Sequence, residues 1–144
     1  MQVIMTRTGD DPYHTIGYAA DRTNDADPAL AVSIHANAGG GTGTEACYQD
    51  LKDTTPQSMA LARRLTEAVS SRLSLTNRGI YSEYGGTRRC NGDGGGLYIH
   101  NMRATAALIE TAFLDHPRDA EKLRDRRQDF AQAIAEAILA HLRG

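Results

Sequence analysis

The sequence has few cysteines, no long apolar segment and no large excess of charge, and each of these absences excludes a class of protein. Its two cysteines, Cys47 and Cys90, cannot form a paired-cysteine metal knuckle at that spacing. No apolar run is long enough to span a membrane. The formal net charge of -2 gives no electrostatic reason to expect binding to nucleic acid or to an anionic membrane.

The composition that remains is ordinary for one globular domain. The 144 residues are 40% hydrophobic and 24% charged, which is enough to bury a core. The two cysteines could form a disulfide or stay as thiols, and the sequence leaves both open. No signal peptide is visible, because Met1 leads directly into "QVIMTRTGDD". Either the protein is made without a signal or the sequence begins inside a longer chain.

Apolar strands alternate with amphipathic helices along the chain. We expect strands at 2–6, 29–35, 43–48, 96–100 and 105–113, and helices at 15–26, 55–73, after Pro117 and at 126–142, with a glycine-rich loop at 82–96. The strand at 29–35 is a continuous apolar run, which suits a buried strand of a parallel sheet. The alternation predicts an α/β fold: a single three-layer domain with a mostly parallel twisted sheet and helices on both faces.

Two polar residues lie at the ends of apolar strands in this predicted sheet. His35 ends the strand at 29–35, and Glu110 follows the apolar residues of "AALIE". Ligands of such sheets bind beyond the carboxyl ends of the strands, and a carboxylate in a central strand is costly to bury without a partner or a function. The pair could be a metal ligand and a general base, as in a zinc hydrolase. The simpler interpretation is a histidine bonded to a loop carbonyl and a glutamate paired with an arginine.

Further residues near these strand ends are weaker candidates. Glu45 could line the site from the neighbouring strand or form a strand-end salt bridge. Asn37 could orient a ligand or bond within its own loop. His14 could reach a metal, although a histidine in a surface loop needs no such role. A hydrolase that uses Ser33 and His35 is another alternative, but no aspartate is obviously placed to orient the histidine.

Six stretches occur in an order and at gaps that match a known enzyme family. They are "VIMTRTGDD" (3–11), "SIHANA" (33–38), "GTEACY" (43–48), "NRGIY" (77–81), "GLYIHN" (96–101) and "ALIETAFLDHPRDAEKL" (107–123). On these stretches the chain resembles the zinc-dependent N-acetylmuramoyl-L-alanine amidases of the amidase-3 family, which cleave peptidoglycan. The resemblance implies a sheet of the predicted kind, a zinc ligand at His35 and the catalytic carboxylate at Glu110.

The sequence departs from the family pattern at its start. The family domain opens with a strand that ends in Gly-His-Gly-Gly and a helix that carries a Glu, and these supply the other two zinc ligands. No such motif occurs in the sequence. We therefore expect residues 1–144 to be an amidase-3-like catalytic domain that is N-terminally incomplete. A chain of these residues alone is expected to be unstable or to share a sheet edge with a partner. The oligomeric state stays open.

The resemblance also implies a reaction and a place of action. The reaction is hydrolysis of the amide bond between N-acetylmuramic acid and the L-alanine of the stem peptide by zinc-activated water, with Zn2+ as cofactor, peptidoglycan as partner and Glu110 as general base. The alternative is a non-catalytic peptidoglycan-binding or regulatory module that has lost its metal. The expected location is the cell wall, extracellular or periplasmic, reached either by a bacterial autolysin or by a phage endolysin released from the host cytoplasm.

Overall fold

Helices and strands alternate along most of the chain. The computed structural model describes residues 2–9, 15–51, 53–83 and 95–144, without the side chains of 95–97. Within these residues the chain forms five helices and four strands: α1 (Ile16–Asp25), β1 (Leu30–Asn37), β2 (Thr44–Tyr48), α2 (Thr55–Leu73), β3 (Asn77–Ser82), α3 (Gly95–His100), β4 (Thr105–Phe113), α4 (Pro117–Asp125) and α5 (Arg127–Leu142).

The four strands form one sheet in the order β1-β4-β2-β3. β4 pairs with β1 in parallel, and β2 pairs with β3 in parallel. β2 and β4 are antiparallel neighbours. Two of the three pairings are parallel, so the prediction of a mostly parallel sheet is confirmed. β4 lies inside the sheet, hydrogen-bonded to β1 on one side and to β2 on the other.

Helices cover both faces of the sheet, which confirms the three layers. On one face, α2 and α5 pack against the strands through a large cluster that contains Leu65 and Ile109. On the other face, α1 and α3 pack through a smaller cluster that contains Ile99 and Leu108. Successive side chains of a strand point to opposite faces. The neighbours Leu108 and Ile109 of β4 therefore serve the two different cores.

The predicted helices at 15–26 and 55–73 form as α1 and α2. The hydroxyl of Thr15 accepts a hydrogen bond of 3.1 Å from the Tyr18 amide and so caps α1. α2 spans the predicted residues 55–73, with Pro56 in its first turn, where a missing amide proton costs nothing. It ends at Ser74, which adopts a left-handed conformation with φ +50°.

Two predicted strands are wrong. Residues 96–100 lie in α3, where Ile99 is fully buried and its carbonyl accepts a 2.8 Å bond from the side-chain amide of Gln49. A short apolar run does not distinguish a strand from a buried helix, and packing decides here for the helix. Residues 2–6 form no strand, and Val3 is 68% exposed, because no strand of the described sheet pairs with them.

Of the two cysteines, which could form a disulfide or stay as thiols, the structure describes Cys47. Cys47 lies buried on β2 and is disulfide-bonded, and no cysteine among the described residues is free. Cys90 and most of the predicted loop at 82–96 lie outside the described residues. The disulfide suits the oxidising compartments in which such bonds persist.

Replacing Leu65 by alanine tests whether the α2 face carries the main core. Leu65 has no exposed surface, so Leu65→Ala leaves a cavity and should lower the free energy of unfolding by about 2–5 kcal/mol. Leu142→Ala is the matched control, because Leu142 is 44% exposed at the end of α5, and it should change stability by about 0.5 kcal/mol or less. Urea unfolding followed by circular dichroism measures both. Equal losses in the two variants would contradict this assignment of the core.

Candidate active site

Three of the predicted site residues lie side by side across the sheet. His35 of β1 is the register partner of Glu110 on β4. Glu45 of β2 is the register partner of Glu110 on the opposite side. Side chains of directly opposed residues on neighbouring strands share one face of the sheet. The pairing therefore brings His35, Glu110 and Glu45 into one row, with Glu110 in the middle.

The row lies on the face that α1 and α3 cover. Leu108 and Cys47 belong to the core on that face, and each lies two residues from a member of the row on the same strand. Residues two apart on a strand point the same way. The three row residues are half-buried, and the Oε2 atom of Glu110 is buried. The row therefore marks the place where the apolar core gives way to polar groups.

Threonine hydroxyls fix the backbone on both sides of the row. The Thr111 hydroxyl donates a 2.7 Å hydrogen bond to the carbonyl of His35. The Thr44 hydroxyl donates a 2.9 Å hydrogen bond to the carbonyl of Glu110. Each bond joins neighbouring strands through a side chain, in addition to the backbone ladder. The strand segments that carry the row are therefore held more firmly than the ladder alone would hold them.

Glu45 is held through both of its carboxylate oxygens. The side-chain amide of Asn37 donates a 2.9 Å bond to Oε1, and the Arg78 guanidinium forms a 2.5 Å ion pair with Oε2. The side chains of Glu45 and Arg78 are only 14% and 21% exposed, so the pair is largely removed from water. The strand-end salt bridge considered for Glu45 thus exists. Asn37 orients this carboxylate and also accepts a bond from the Ala38 amide within its own loop.

Arg78 is a site residue that the sequence reasoning missed. Its guanidinium donates a 3.3 Å bond to the carbonyl of Thr42 and lies 4.9 Å from the centroid of the Phe113 ring. Arginine above an aromatic face gains a cation–π attraction in addition to its ion pair. The only signal in the sequence was its place in "NRGIY". In the structure the next residue, Gly79, adopts φ +96°. The "NRGIY" stretch indicated the family, but it did not indicate that Arg78 pairs with Glu45.

The loop between β1 and β2 is tethered by Asp119 of α4. The Asp119 carboxylate accepts bonds from the amides of Gly43 at 2.8 Å and Phe113 at 3.2 Å, and from the Thr42 hydroxyl at 3.0 Å. Burial raises the pKa of Asp119, but the bonds from Gly43, Phe113 and Thr42, with the nearby His116, outweigh burial and leave the pKa lowered. The resulting stabilisation is present above the ordinary pKa of 3.8 and is lost as the pH falls through the lowered value.

A second carboxylate holds the beginning of the same loop. The Oδ2 atom of Asp115 accepts bonds of 2.7 Å from the amides of both Gly39 and Gly40. These two bonds lower the pKa of the exposed Asp115 carboxyl. Gly39 and Gly40 have φ of +115° and +79°, a region that side chains disfavour. The glycines therefore let the backbone amides turn toward Asp115.

Three further histidines lie within the described residues. His100 ends α3 and its Nδ1 lies 3.2 Å from the buried carboxylate of Glu83. His116 caps α4, where its Nδ1 accepts a 3.4 Å bond from the Asp119 amide. His141 lies on α5, and partial burial, with the charge of Arg64, lowers its pKa. His14 lies outside the described residues.

Comparison with known proteins identifies the family. A family model described as N-acetylmuramoyl-L-alanine amidase matches residues 1–140. The chain belongs to the N-acetylmuramoyl-L-alanine amidase family. This confirms the resemblance on which the sequence analysis rested.

Solved structures agree with the family and with the fold. An N-acetylmuramoyl-L-alanine amidase from Clostridium difficile 630 is 26% identical with a TM-score of 0.81, over 99% of this chain and 73% of that one. The catalytic domain of CwlV, an amidase from Bacillus (Paenibacillus) polymyxa var. colistinus, is 25% identical with a TM-score of 0.76, over 98% and 72%. The amidase AmiC2 of Nostoc punctiforme, 22% identical with a TM-score of 0.79 over 99% and 73%, shares the fold. No match to a curated protein was found.

The described residues do not by themselves complete a zinc centre. Zinc sites use three or four protein ligands. In the part of the chain that the structure describes, no group of three or more His, Cys, Asp or Glu could hold a metal ion. Glu45 lies in the row, but Asn37 and Arg78 hold both of its oxygens. His35 and Glu110 therefore offer one imidazole and one carboxylate, and a complete zinc site needs further ligands.

A double-mutant cycle tests the ion pair of Glu45 and Arg78. Replacing either by glutamine leaves the other partly buried charge without its partner, so we expect a coupling energy of about 1–3 kcal/mol in urea unfolding. The exposed pair Arg126–Asp129, at 2.8 Å and with side chains 42% and 36% exposed, is the matched control. Its coupling should be about 0.3–0.5 kcal/mol. Equal coupling in the two pairs would show that the Glu45–Arg78 pair is not sequestered from water.

Proposed function

We propose that the chain hydrolyses the amide bond between N-acetylmuramic acid and the L-alanine of the stem peptide, with Glu110 as the catalytic carboxylate and His35 as a zinc ligand. Peptidoglycan amidase activity is the function of the family to which the chain belongs. The observation that carries the residue assignment is the row in which His35 and Glu110 are direct cross-strand partners. A histidine and a half-buried carboxylate on one face provide a ligand and a general base side by side.

Glu110 has the chemical task of moving one proton. It takes a proton from water as the water oxygen attacks the carbonyl carbon of the lactyl group. It then gives that proton to the nitrogen of L-alanine as the carbon–nitrogen bond breaks. The products are a lactyl carboxylate and a stem peptide with a new amino terminus. A carboxylate fixed within a sheet strand suits this task, because its backbone is held on both sides.

Zinc is the cofactor that we propose for this reaction. Zinc in hydrolases polarises a carbonyl group and lowers the pKa of water. His35 is the ligand that this chain contributes from the described residues, and the remaining ligands lie beyond them. The proposal assigns Asn37 and Glu45 to the lining of the site. The side-chain amide of Asn37 and the guanidinium of Arg78 both bond the Glu45 carboxylate, and Arg78 also bonds the carbonyl of Thr42 in the loop between β1 and β2.

The proposed substrate places the activity in the cell wall. Peptidoglycan lies outside the cytoplasmic membrane, so we propose an extracellular or periplasmic site of action. The disulfide of Cys47 supports an oxidising location. None of the described helices has the length and apolar character needed to cross a membrane.

A second function has a specific observation in its favour. In the described part of the chain, no three metal-binding side chains converge. A non-catalytic module that binds peptidoglycan on the same face would need no such convergence. Binding to peptidoglycan without any release of peptide would support this alternative.

Product analysis tests the proposed reaction. Purified peptidoglycan treated with the protein should release stem peptides that begin with L-alanine, and it should show no new reducing sugar ends. Glu110→Gln removes the proton acceptor at nearly constant size, so the rate should fall about 100- to 10,000-fold. Glu67→Gln, on the exposed face of α2, is the matched control and should keep the wild-type rate. Mass spectrometry of the released peptides measures the rate, and new reducing ends would instead indicate a glycosidase.

Zinc removal tests the role of His35. Native mass spectrometry should show one zinc ion per chain in the wild type, lost on treatment with a chelator, because catalytic zinc is held by a few protein ligands. His35→Ala removes a ligand and should reduce the zinc-bound fraction strongly. His141→Ala, on α5 and away from the row, should leave that fraction unchanged. Full amidase activity in a zinc-free chain would contradict the proposed cofactor.

A further inference from the structure

We infer that Asp119 is a positioning residue for the amidase site, which it orders by tethering the loop of residues 38–43. This inference rests on the proposed function, because the loop runs between Asn37 and Glu45, the two residues assigned to the lining of the proposed site. Asp119 contacts neither His35 nor Glu110 in any hydrogen bond described above, so its influence passes through other residues. The tethered loop, residues 38–43, joins β1 to β2 and contains four glycines.

The Asp119 carboxylate bonds mainly to residues outside its own helix, and it also lies 3.3 Å from Nδ1 of His116 at the start of that helix. The residue is 2% exposed, and its three acceptor bonds go to Thr42, Gly43 and Phe113. A buried carboxylate is costly unless such bonds compensate for the lost water. An acidic residue in the first turn of a helix is favourable on its own account. Near-complete burial with three bonds, two of which go to a loop 76 and 77 positions away in the sequence, goes beyond that local effect.

The end of the tethered loop leads directly into the row. Gly43, bound by Asp119, precedes Thr44, whose hydroxyl bonds the carbonyl of Glu110. Glu45 follows and lies opposite Glu110 in the sheet. A shift of the backbone at Gly43 would therefore move Thr44 and Glu45, which lie against the strand at Glu110. No residue outside this short path is needed to transmit the shift.

The same tether sets the position of Arg78. Asp119 bonds the Thr42 hydroxyl, and the carbonyl of Thr42 accepts from the Arg78 guanidinium. Asp119 also bonds the amide of Phe113, whose ring lies under that guanidinium. Besides Glu45, the Arg78 guanidinium contacts the Thr42 carbonyl and the Phe113 ring, and Asp119 bonds both Thr42 and Phe113. Arg78 in turn holds Glu45 in the row.

Close packing prevents the loop from adjusting without Asp119. A Cβ atom added at Gly41 would lie 2.4 Å from the Phe113 ring, so the loop backbone rests directly on that ring. A Cβ atom added at Gly43, where φ is +106°, would lie 2.3 Å from the carbonyl oxygen of Thr76. The loop backbone at Gly41 and Gly43 thus lies too close to its neighbours for even one added methyl group. A displaced loop could not pack as well as the present one. Loss of the tether should therefore misplace the lining residues and not merely loosen them.

Kinetics of Asp119→Asn test the inference. The substitution keeps the size of the side chain and removes the charge that accepts the three bonds. We expect kcat per folded molecule to fall about 100-fold, because small displacements of groups around a reacting centre cost that much. Asp125→Asn is the matched control, because Asp125 lies on the same helix and pairs with the exposed Arg124. It should keep the wild-type kcat.

A second readout does not depend on activity. In nuclear magnetic resonance spectra, Asp119→Asn should shift the Arg78 Nε–H signal and speed hydrogen exchange of the Gly43 amide, and Asp125→Asn should do neither. Thr42→Val breaks only one of the three bonds to Asp119 at an exposed position, and it should produce the same changes to a smaller extent. It supplies the test if Asp119→Asn fails to fold.

The outcomes separate this inference from the proposed function. A folded Asp119→Asn protein with wild-type kcat and an unchanged Arg78 signal would overturn the inference while the wild type remains an amidase. If Asp119→Asn does not fold, a Thr42→Val protein with an unchanged Arg78 signal and kcat would overturn it. A wild type without amidase activity would overturn the proposed function. The Arg78 and Gly43 signals would then still show whether Asp119 positions the loop.

Discussion

β4 is hydrogen-bonded on both sides, in parallel to β1 and antiparallel to β2, and this double pairing determines where the polar groups of the site lie. Along β4, apolar residues face the two cores alternately as far as Ile109, and Glu110 then takes the position that an apolar residue would fill. The register on either side places His35 and Glu45 against it. A slip of one residue would send these side chains to the opposite face.

Charges in and around this row are compensated by contacts that come from far along the chain. Glu45 pairs with Arg78 of β3, and Asp119 of α4 accepts from the loop that joins β1 to β2. Burial of a charge is costly, so each of these groups constrains the segments that satisfy it. The positions of the charged side chains and the conformation of the loop between β1 and β2 therefore depend on each other. Membership of the amidase family is the basis on which we propose a catalytic role for this row.

Patterns within one segment predicted much of the fold. The limits of α2 and β4 matched the predicted limits, because long periodic runs and clear Gly or Pro boundaries specify them. The segment at 96–100 failed because a run of five residues fits a helix or a strand equally well. The strand at 2–6 failed because a strand exists only with a neighbour, and no local pattern reports that neighbour.

The site could be predicted only as far as single residues carry a signal. His35 and Glu110 stood out because each follows apolar residues, and the row confirms that they are neighbours. Arg78 and Asp119 gave no such signal. Arg78 meets Glu45 across 33 positions and Asp119 meets Gly43 across 76, so their partners appear only in three dimensions.

Anomalous diffraction at the zinc absorption edge, from crystals grown with zinc, would test most directly whether this row is the metal-dependent centre of the amidase. The account predicts a peak about 2.0–2.1 Å from a ring nitrogen of His35, on the side of Glu110. The other atoms around that peak would identify the remaining ligands. A peak at His100 or His116 with none at His35, or no peak at all, would contradict the account.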